Sequence, residues 1–497
     1  MNLSQTAAGY ANRVFGLDLR SLAVMRVGLA SVILADLAIR ASDFHAMYVD
    51  DGVASVEFVR GLTRIPAWSL HLLNGSAGYQ ASLFAVAALL ALAMLIGFQT
   101  RLAVIGCWIM VTSIQLRMPL VTNAGDTMLR GFLFWSMFLP LGAVWSLDAR
   151  RRGPPALPLG YASVGTFAFV VQLAIVYWFA GWAKWNDAWL QEDALGNIFK
   201  FGFYGLPLGA ALVDHPGLTR FLSQATVWFE LLGPLLLFMP WQIARFRAVA
   251  IVGFVLLHLG IAVTMTVGLF SFVAIAVWMS ILPAEFWRFL RIPVPAVAPS
   301  GHDSSVSRSR RLGRRVAAGV CLAALAIAVY WNVANEVSRQ PLNLYDGLLR
   351  YAAHVTTLRQ SWGVFGRPPR QDSWFVYQAR LKNGEQVDLL SGDSEILTNK
   401  PPLASRQFTN HRWRKLHHRL RSEASAAYRQ PVADYMRRQW NATHGPDEQV
   451  VRLDFYLFTQ SFDLAGNPDD HARKTLAQVV GPDGGNFAEA LRSEDNF

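Results

Sequence analysis

At 497 residues, 53% hydrophobic and only 16% charged, the chain is too apolar for an ordinary soluble enzyme and points to a membrane protein with a sizeable soluble part. Its net charge of +11 does not signal nucleic acid, because many of the arginines fall in short loops between apolar runs, where they set orientation. The two cysteines, Cys107 and Cys321, both lie inside apolar segments, which excludes a disulfide framework, a zinc site or a thiol nucleophile in the soluble part.

The first apolar run follows about 20 polar-to-mixed residues and has no clear small-residue cleavage site, so no cleavable signal peptide is expected. Nine candidate spans follow, near 20–39, 79–98, 102–116, 127–147, 162–183, 222–240, 247–266, 270–283 and 315–333. The third and eighth are short and read as spans or as partly re-entrant segments. Arginine placement gives them a direction. With the N-terminus cytoplasmic, the inner loops are those around Arg101, "ARRRGPP", "WQIARFR" and 284–315, and each carries arginine. An odd number of spans then places the C-terminal part outside.

The segment "PVPAVAPSGHDSSVSRSRR" reads as a flexible cytoplasmic linker, within 284–315. After Glu336 the composition changes. "DSWFVYQARLKNGEQVDLL" surrounds an "NG" with strand-forming residues, a hairpin signal, and "VVRLDFYLFTQ" is a further strand. Between them, "NHRWRKLHHRLRSEASAAYRQPVADYMRRQW" is basic and mostly helical, with a break at Pro431. This helix either lies on anionic head groups or presents a solvated basic face. The expected fold is therefore mainly α: a polytopic transmembrane helical bundle of about 8–9 spans over residues 1–335, then a smaller extracytoplasmic α+β domain over 340–497.

Ionisable residues inside apolar spans are costly and mark candidate sites. Asp36 is followed by Arg40, and Asp126 by Arg130, each pair four residues apart on one helix face. They read either as helix-end ion pairs or as pocket residues. Arg117 ends the third span. Glu230 and His258 lie deeper, at matching depth on successive spans, and form a candidate pair. Lys184 closes the fifth span inside "GWAKWNDAW". It is either a snorkelling anchor in an aromatic belt or a base, with Trp182, Trp185 and Trp189 desolvating it and Asp187 opposing them. No Gly-rich phosphate loop is present. "HRWRKLHH" offers His411, His417 and His418, but the surrounding cations disfavour a metal, so none is expected. No inverted repeat supports a transporter.

Several segments, in order, resemble the HTTM superfamily, which includes the vitamin K-dependent γ-glutamyl carboxylase. They are "YVDDGV", "GFQTRLA", "RMPLVTNAGDTMLRGFLFWSMFLPLGAVWSLD", "FAGWAKWNDAW" and "HLGIAVTMTVGLFSF". The resemblance runs from about residue 15 to 290 and extends weakly into "SWGVFGRPPRQDSWFVYQARLKNGEQVDL". It implies a bacterial inner-membrane protein and a quinol cofactor, vitamin K hydroquinone or menaquinol. It also implies O2 and CO2 as co-substrates, and a protein or peptide acceptor on the extracytoplasmic side. Lys184 matches the lysine that deprotonates the quinol. Asp36, Arg117, Asp126, Arg130 and His258 would then shape an outer-half pocket. One departure stands out. The vertebrate enzyme has a catalytic histidine just before span four, where this chain has "NAGD" with Gly125 and Asp126; His45 and His71 belong to another segment. The alternative is a non-catalytic scaffold, or a quinone- or lipid-binding membrane protein, whose external domain docks a partner.

Overall fold

The computed structural model describes residues 3–62, 68–153, 159–200, 203–293, 308–334, 346–356, 358–368, 371–394, 399–401, 404–462 and 468–480. Among the described residues, nine helices form the bundle: α1 (Leu19–Ser42), α2 (Ala77–Ile96), α3 (Thr100–Arg117), α4 (Ala124–Ser136), α5 (Val164–Ala183), α6 (Pro216–Leu232), α7 (Ile243–Thr264), α8 (Phe270–Trp278) and α9 (Arg308–Asn332). Six helices among the described residues are long and apolar enough to cross a membrane: Leu19–Ser42, Ala77–Ile96, Val164–Ala183, Pro216–Phe238, Ile243–Thr264 and Arg311–Asn332. Of the other expected spans, α3 is less apolar, while α4 and α8 are shorter, with α8 prolonged by one 3-10 turn at Met279–Ile281. The span expected at 127–147 stops as a helix at Ser136, and Pro140 lies in the turns that follow.

Local sequence explains the helix ends. Asp18 caps α1 by accepting from the Arg20 amide. Gly97, at φ +70°, closes α2 in the left-handed conformation that glycine adopts without strain. The Asp148 carboxylate then caps α3, accepting from the amide of Gln99 at 3.0 Å and that of Thr100 at 2.8 Å. Asn123 and Asp126 form a reciprocal capping box at the start of α4. Helix α1 is central, packed against α2 and α8, while α8 also contacts α4 and α7. Helices α6 and α9 pack on α5.

Linker residues 294–307, the 335–340 domain boundary and residues 481–497 lie outside the described residues. Residues 308–315, expected to continue the linker, are the first turns of α9.

The C-terminal part carries an antiparallel sheet. After the short pair β1 (Leu17–Asp18) and β2 (Gly160–Tyr161), its strands are β3 (Gln371–Leu381), β4 (Gln386–Asp388), β5 (Val450–Phe462) and β6 (Pro468–Val480), in the order β4-β3-β5-β6. The expected "NG" hairpin joins β3 to β4, with Gly384 at φ +91°. Two helices lie between β4 and β5: α10 (His411–Leu420) and α11 (Arg429–Thr443). The chain breaks between them at 421–428, so Pro431 occupies the first turn of α11, where it is tolerated. Helix α11 covers β5 and β6, and α10 contacts β3 through a 2.8 Å hydrogen bond between His417 Nε2 and the Tyr377 hydroxyl. Covered on both faces, β3 buries Trp374, Phe375, Val376 and Tyr377 in succession instead of alternating.

Candidate functional site

Two polar clusters occupy the end of the bundle that meets the C-terminal domain. The first begins on α1, where the four-residue spacing pairs Arg40 Nε with Asp36 Oδ2 at 2.7 Å. Arg40 also donates to the Tyr48 hydroxyl at 2.7 Å and to Asp126 Oδ1, at the start of α4, at 2.8 Å. The fourth charged member arrives from the other domain. Arg412, on α10, donates through Nη1 to Asp126 Oδ2 at 2.6 Å and to the Val121 carbonyl at 2.9 Å. Its Nη2 reaches Asp126 Oδ1 at 2.8 Å and also Asp36. All four charged groups are buried, and two carboxylates balance two guanidinium groups. Beside them lies a crevice bordered by Val32, Asn123, Gly125, Leu129, Leu269 and Val273.

The second cluster surrounds Lys184, which is buried at the C-cap of α5. Its Nζ donates to Glu230 Oε2 on α6 at 2.8 Å and to the Ala180 carbonyl at 3.3 Å, and lies 5.5 Å from the Trp189 ring centroid. Tyr177, two turns before Lys184 on the same helix, bonds His258 Nε2 on α7 at 2.7 Å and accepts from Trp278 Nε1 at 2.7 Å. Trp278 can only donate, so the Tyr177 oxygen accepts from it, while the direction of the Tyr177–His258 bond follows the histidine tautomer. His258 Nδ1 is buried and has no partner among the described residues. Phe270 connects the clusters: its ring is 5.2 Å from His258, and its backbone packs against Gly125, where an added Cβ would meet it at 2.9 Å.

The geometry alters several sequence expectations. Glu230 pairs with Lys184, and His258 with Tyr177, instead of with each other. Asp126 is taken up by Arg40 and Arg412, while Arg130 donates to Gln115 Oε1 at 2.6 Å. Trp182 and Trp185 are 50% and 47% exposed, so of the three tryptophans only Trp189 shields the lysine. Asp187 accepts from Gln191 instead of facing Lys184. Arg117 donates to the Ala54 carbonyl at 2.8 Å and stands 3.9 Å from Asp50, in the segment after α1. His45 is exposed. His71 is buried on Gln80 Oε1 at 2.7 Å, and burial pushes its pKa down to about 4. Arg412 went unread as a site residue, since nothing local couples it to carboxylates 376 and 286 positions earlier. Tyr177 was accessible to sequence reasoning, because seven residues before Lys184 is the same helix face.

Buried ionisable groups on several apolar helices, gathered at one end under an α+β cap, define an integral membrane protein with a polar interior site. The family model for the HTTM domain matches residues 16–287, and the chain belongs to that family. No curated protein and no solved structure matches the chain.

Proposed function

We propose that this HTTM protein is a vitamin K-dependent γ-glutamyl carboxylase-like membrane enzyme in which Lys184 deprotonates a quinol. One observation carries the reading: a buried amine in contact with a buried carboxylate, 2.8 Å apart, beside aromatic rings. A proton passing from the ammonium to Glu230 Oε2 leaves the neutral amine that a general base needs, with both groups still hydrogen-bonded.

The surroundings suit a flat, lipid-soluble ring. Trp189 sets an aromatic ring beside Lys184, Tyr177, Phe254 and Trp278 pack on one another as an apolar wall next to His258, and the unpartnered His258 Nδ1 offers a polar atom to a ring oxygen. When bound, vitamin K hydroquinone or menaquinol supplies the reducing equivalents that turn O2 into a base strong enough for glutamyl carboxylation by CO2. The chain's own part is to hold the ring, to exclude water and to take the first proton at Lys184 Nζ. The arginine-bearing loops support a cytoplasmic N-terminus and a C-terminal domain on the outer side, where a peptide acceptor would arrive, and the family resemblance implies that the membrane is a bacterial inner membrane.

Purified protein in lipid nanodiscs tests the reading through quinol epoxidation under O2. Lys184→Ala is expected to lower turnover at least about 100-fold, in the range of a lost general base, and Glu230→Gln to lower it as well. Equal turnover in Lys184→Ala and the parent removes the lysine from the chemistry. A second reading, a non-catalytic quinone- or lipid-binding scaffold, is favoured by the Asn123–Asp126 capping box, which stands where the vertebrate enzyme has its histidine. Quinone that co-purifies without turnover would support it.

A further inference from the structure

Helix α10 has two unlike faces. Arg412, Leu416 and Leu420 point into the protein and complete the structure described above. His411, Arg414, Lys415 and His418, spaced i, i+3, i+4, i+7, line another face, against Phe203–Tyr204 and the α7–α8 loop. Arg414 is only 5% exposed. Its Nη2 donates to the Thr266 carbonyl, and its guanidinium carbon lies 4.4 Å from the Tyr204 ring centroid and 5.4 Å from that of Phe203. Its Nε and Nη1 have no hydrogen-bond partner among the described residues; the same is true of His411 Nε2 and His418 Nδ1. His411 is pressed against the Gly268 backbone, and His418 against the Phe203 and Tyr204 rings.

No carboxylate is left to balance this face among the described residues that bear on it. Asp36 and Asp126 are engaged by Arg40 and Arg412, and Asp372, near Arg421, is bonded by Lys400 at 2.8 Å. Arg419 and Arg421 add further positive charge. Burial and these neighbouring cations together lower Lys415 to about 8 and His418 to about 3; burial and Arg412 lower His411 to about 4. Buried guanidinium groups are ordinarily matched by an anion.

We propose that this face of α10, at the seam between the C-terminal domain and the bundle, is a binding site for a phosphate-type oxyanion, gripped by Arg414 and completed by His411, Lys415 and His418. Arginine N–H groups donate preferentially to oxyanions, and Nε and Nη1 of Arg414, on opposite edges of the guanidinium, each leave a donor for an oxygen. Two sources share this chemistry, inorganic phosphate and a phospholipid head group. The second has a track: α7 exposes Leu256, Leu259 and Val263 along the approach to the loop that holds Thr266.

Thermal unfolding of the full chain, followed by its 17 tryptophans, tests the site without reference to quinol turnover. One arm titrates the detergent-purified protein with inorganic phosphate against chloride at equal ionic strength. The other compares nanodiscs of phosphatidylcholine alone with nanodiscs containing phosphatidylglycerol. Stabilisation in the first arm identifies a free anion as the ligand, and stabilisation confined to the second identifies a head group. In either case Lys415→Gln and His418→Gln, both partly exposed, are expected to move the response to at least about tenfold higher ligand concentration. Lys415→Gln is also expected to raise the unfolding temperature of the ligand-free protein, because it removes a cation from a cationic cleft. No stabilisation in either arm, or variants that respond like the parent, overturns the proposal.

Discussion

Replacing Arg412 with alanine is the sharpest perturbation of the junction between the two domains. The side chain supplies two contacts to Asp126, at 2.6 and 2.8 Å, one to Asp36, and one to the Val121 carbonyl at 2.9 Å. Without it, both buried carboxylates keep Arg40 as their contacting cation, with Arg130 and Lys415 acting on Asp126 from further off, and the four-group cluster passes from balanced to net negative. Unit charges about 4 Å apart interact by about 4 kcal/mol at an effective dielectric constant near 20. Removing one partner of a buried pair costs about 3–5 kcal/mol by mutation. The two figures agree. They correspond to a loss of about two to three and a half orders of magnitude in the ratio of docked to undocked C-terminal domain.

Limited proteolysis of the domain, run beside thermal unfolding, reads that loss. Arg438→Ala is the control: that side chain is 42% exposed, donates to the Asp51 and Gly52 carbonyls across the same junction and pairs with Asp434 on its own helix, so less than about 1 kcal/mol is expected. Adding Asp126→Asn to Arg412→Ala should restore part of the docking, because Asp36 and Arg40 then balance each other. An Arg412→Ala effect no larger than that of Arg438→Ala, or no recovery in the double variant, would refute the charge-balance reasoning.

Two further perturbations follow from local geometry. His417 is held neutral inside the C-terminal domain, where burial lowers its pKa from 6.5 to about 4. The unfolded chain therefore binds its proton first: this contribution is complete above pH 6.5, declines as pH falls and levels off near 4, for a total of about 3 kcal/mol. His417→Gln should flatten that part of the domain's pH–stability curve, and an unchanged slope between those limits would count against it. Gly125→Ala would bring a methyl group within 2.9 Å of the Phe270 backbone, and separating α4 from α8 should cost about 1–3 kcal/mol in thermal unfolding. Gly131→Ala, on the same helix with open space around it, should gain up to about 1 kcal/mol.

The apolar runs made the long helices legible, and the "NG" turn made the β3–β4 hairpin legible, because both signals are local. Helix α8 was harder: its nine helical residues are short for a span, and its place comes from packing between α1, α4 and α7. Strand β6 went unread because residues 472–475 on this sheet edge are all exposed and Arg473, Lys474 and Thr475 are consecutive polar residues, with none of the alternation that marks a half-buried strand. Matching Glu230 to His258 by depth failed on height. Both turn toward α5, but Glu230 meets Lys184 at its C-terminal end and His258 meets Tyr177 two turns earlier. The basic helix α10 misled for a different reason. Composition places arginines in water or on head groups, and only the tertiary fold shows Arg412 and Arg414 packed inside.

The origin of Arg412 in the C-terminal domain also bears on how the protein is made. Ribosomes add about 5–20 residues per second. Asp126 therefore leaves the ribosome roughly 15–60 s before the guanidinium 286 positions later that neutralises it. Throughout that interval the nascent bundle carries the two acidic side chains with Arg40 as their contacting cation and Arg130 acting on Asp126 from further off. Arrival of the last domain is thus the event that completes the interior, and a truncated product would keep an open, acid-bearing seam that quality-control proteases can recognise.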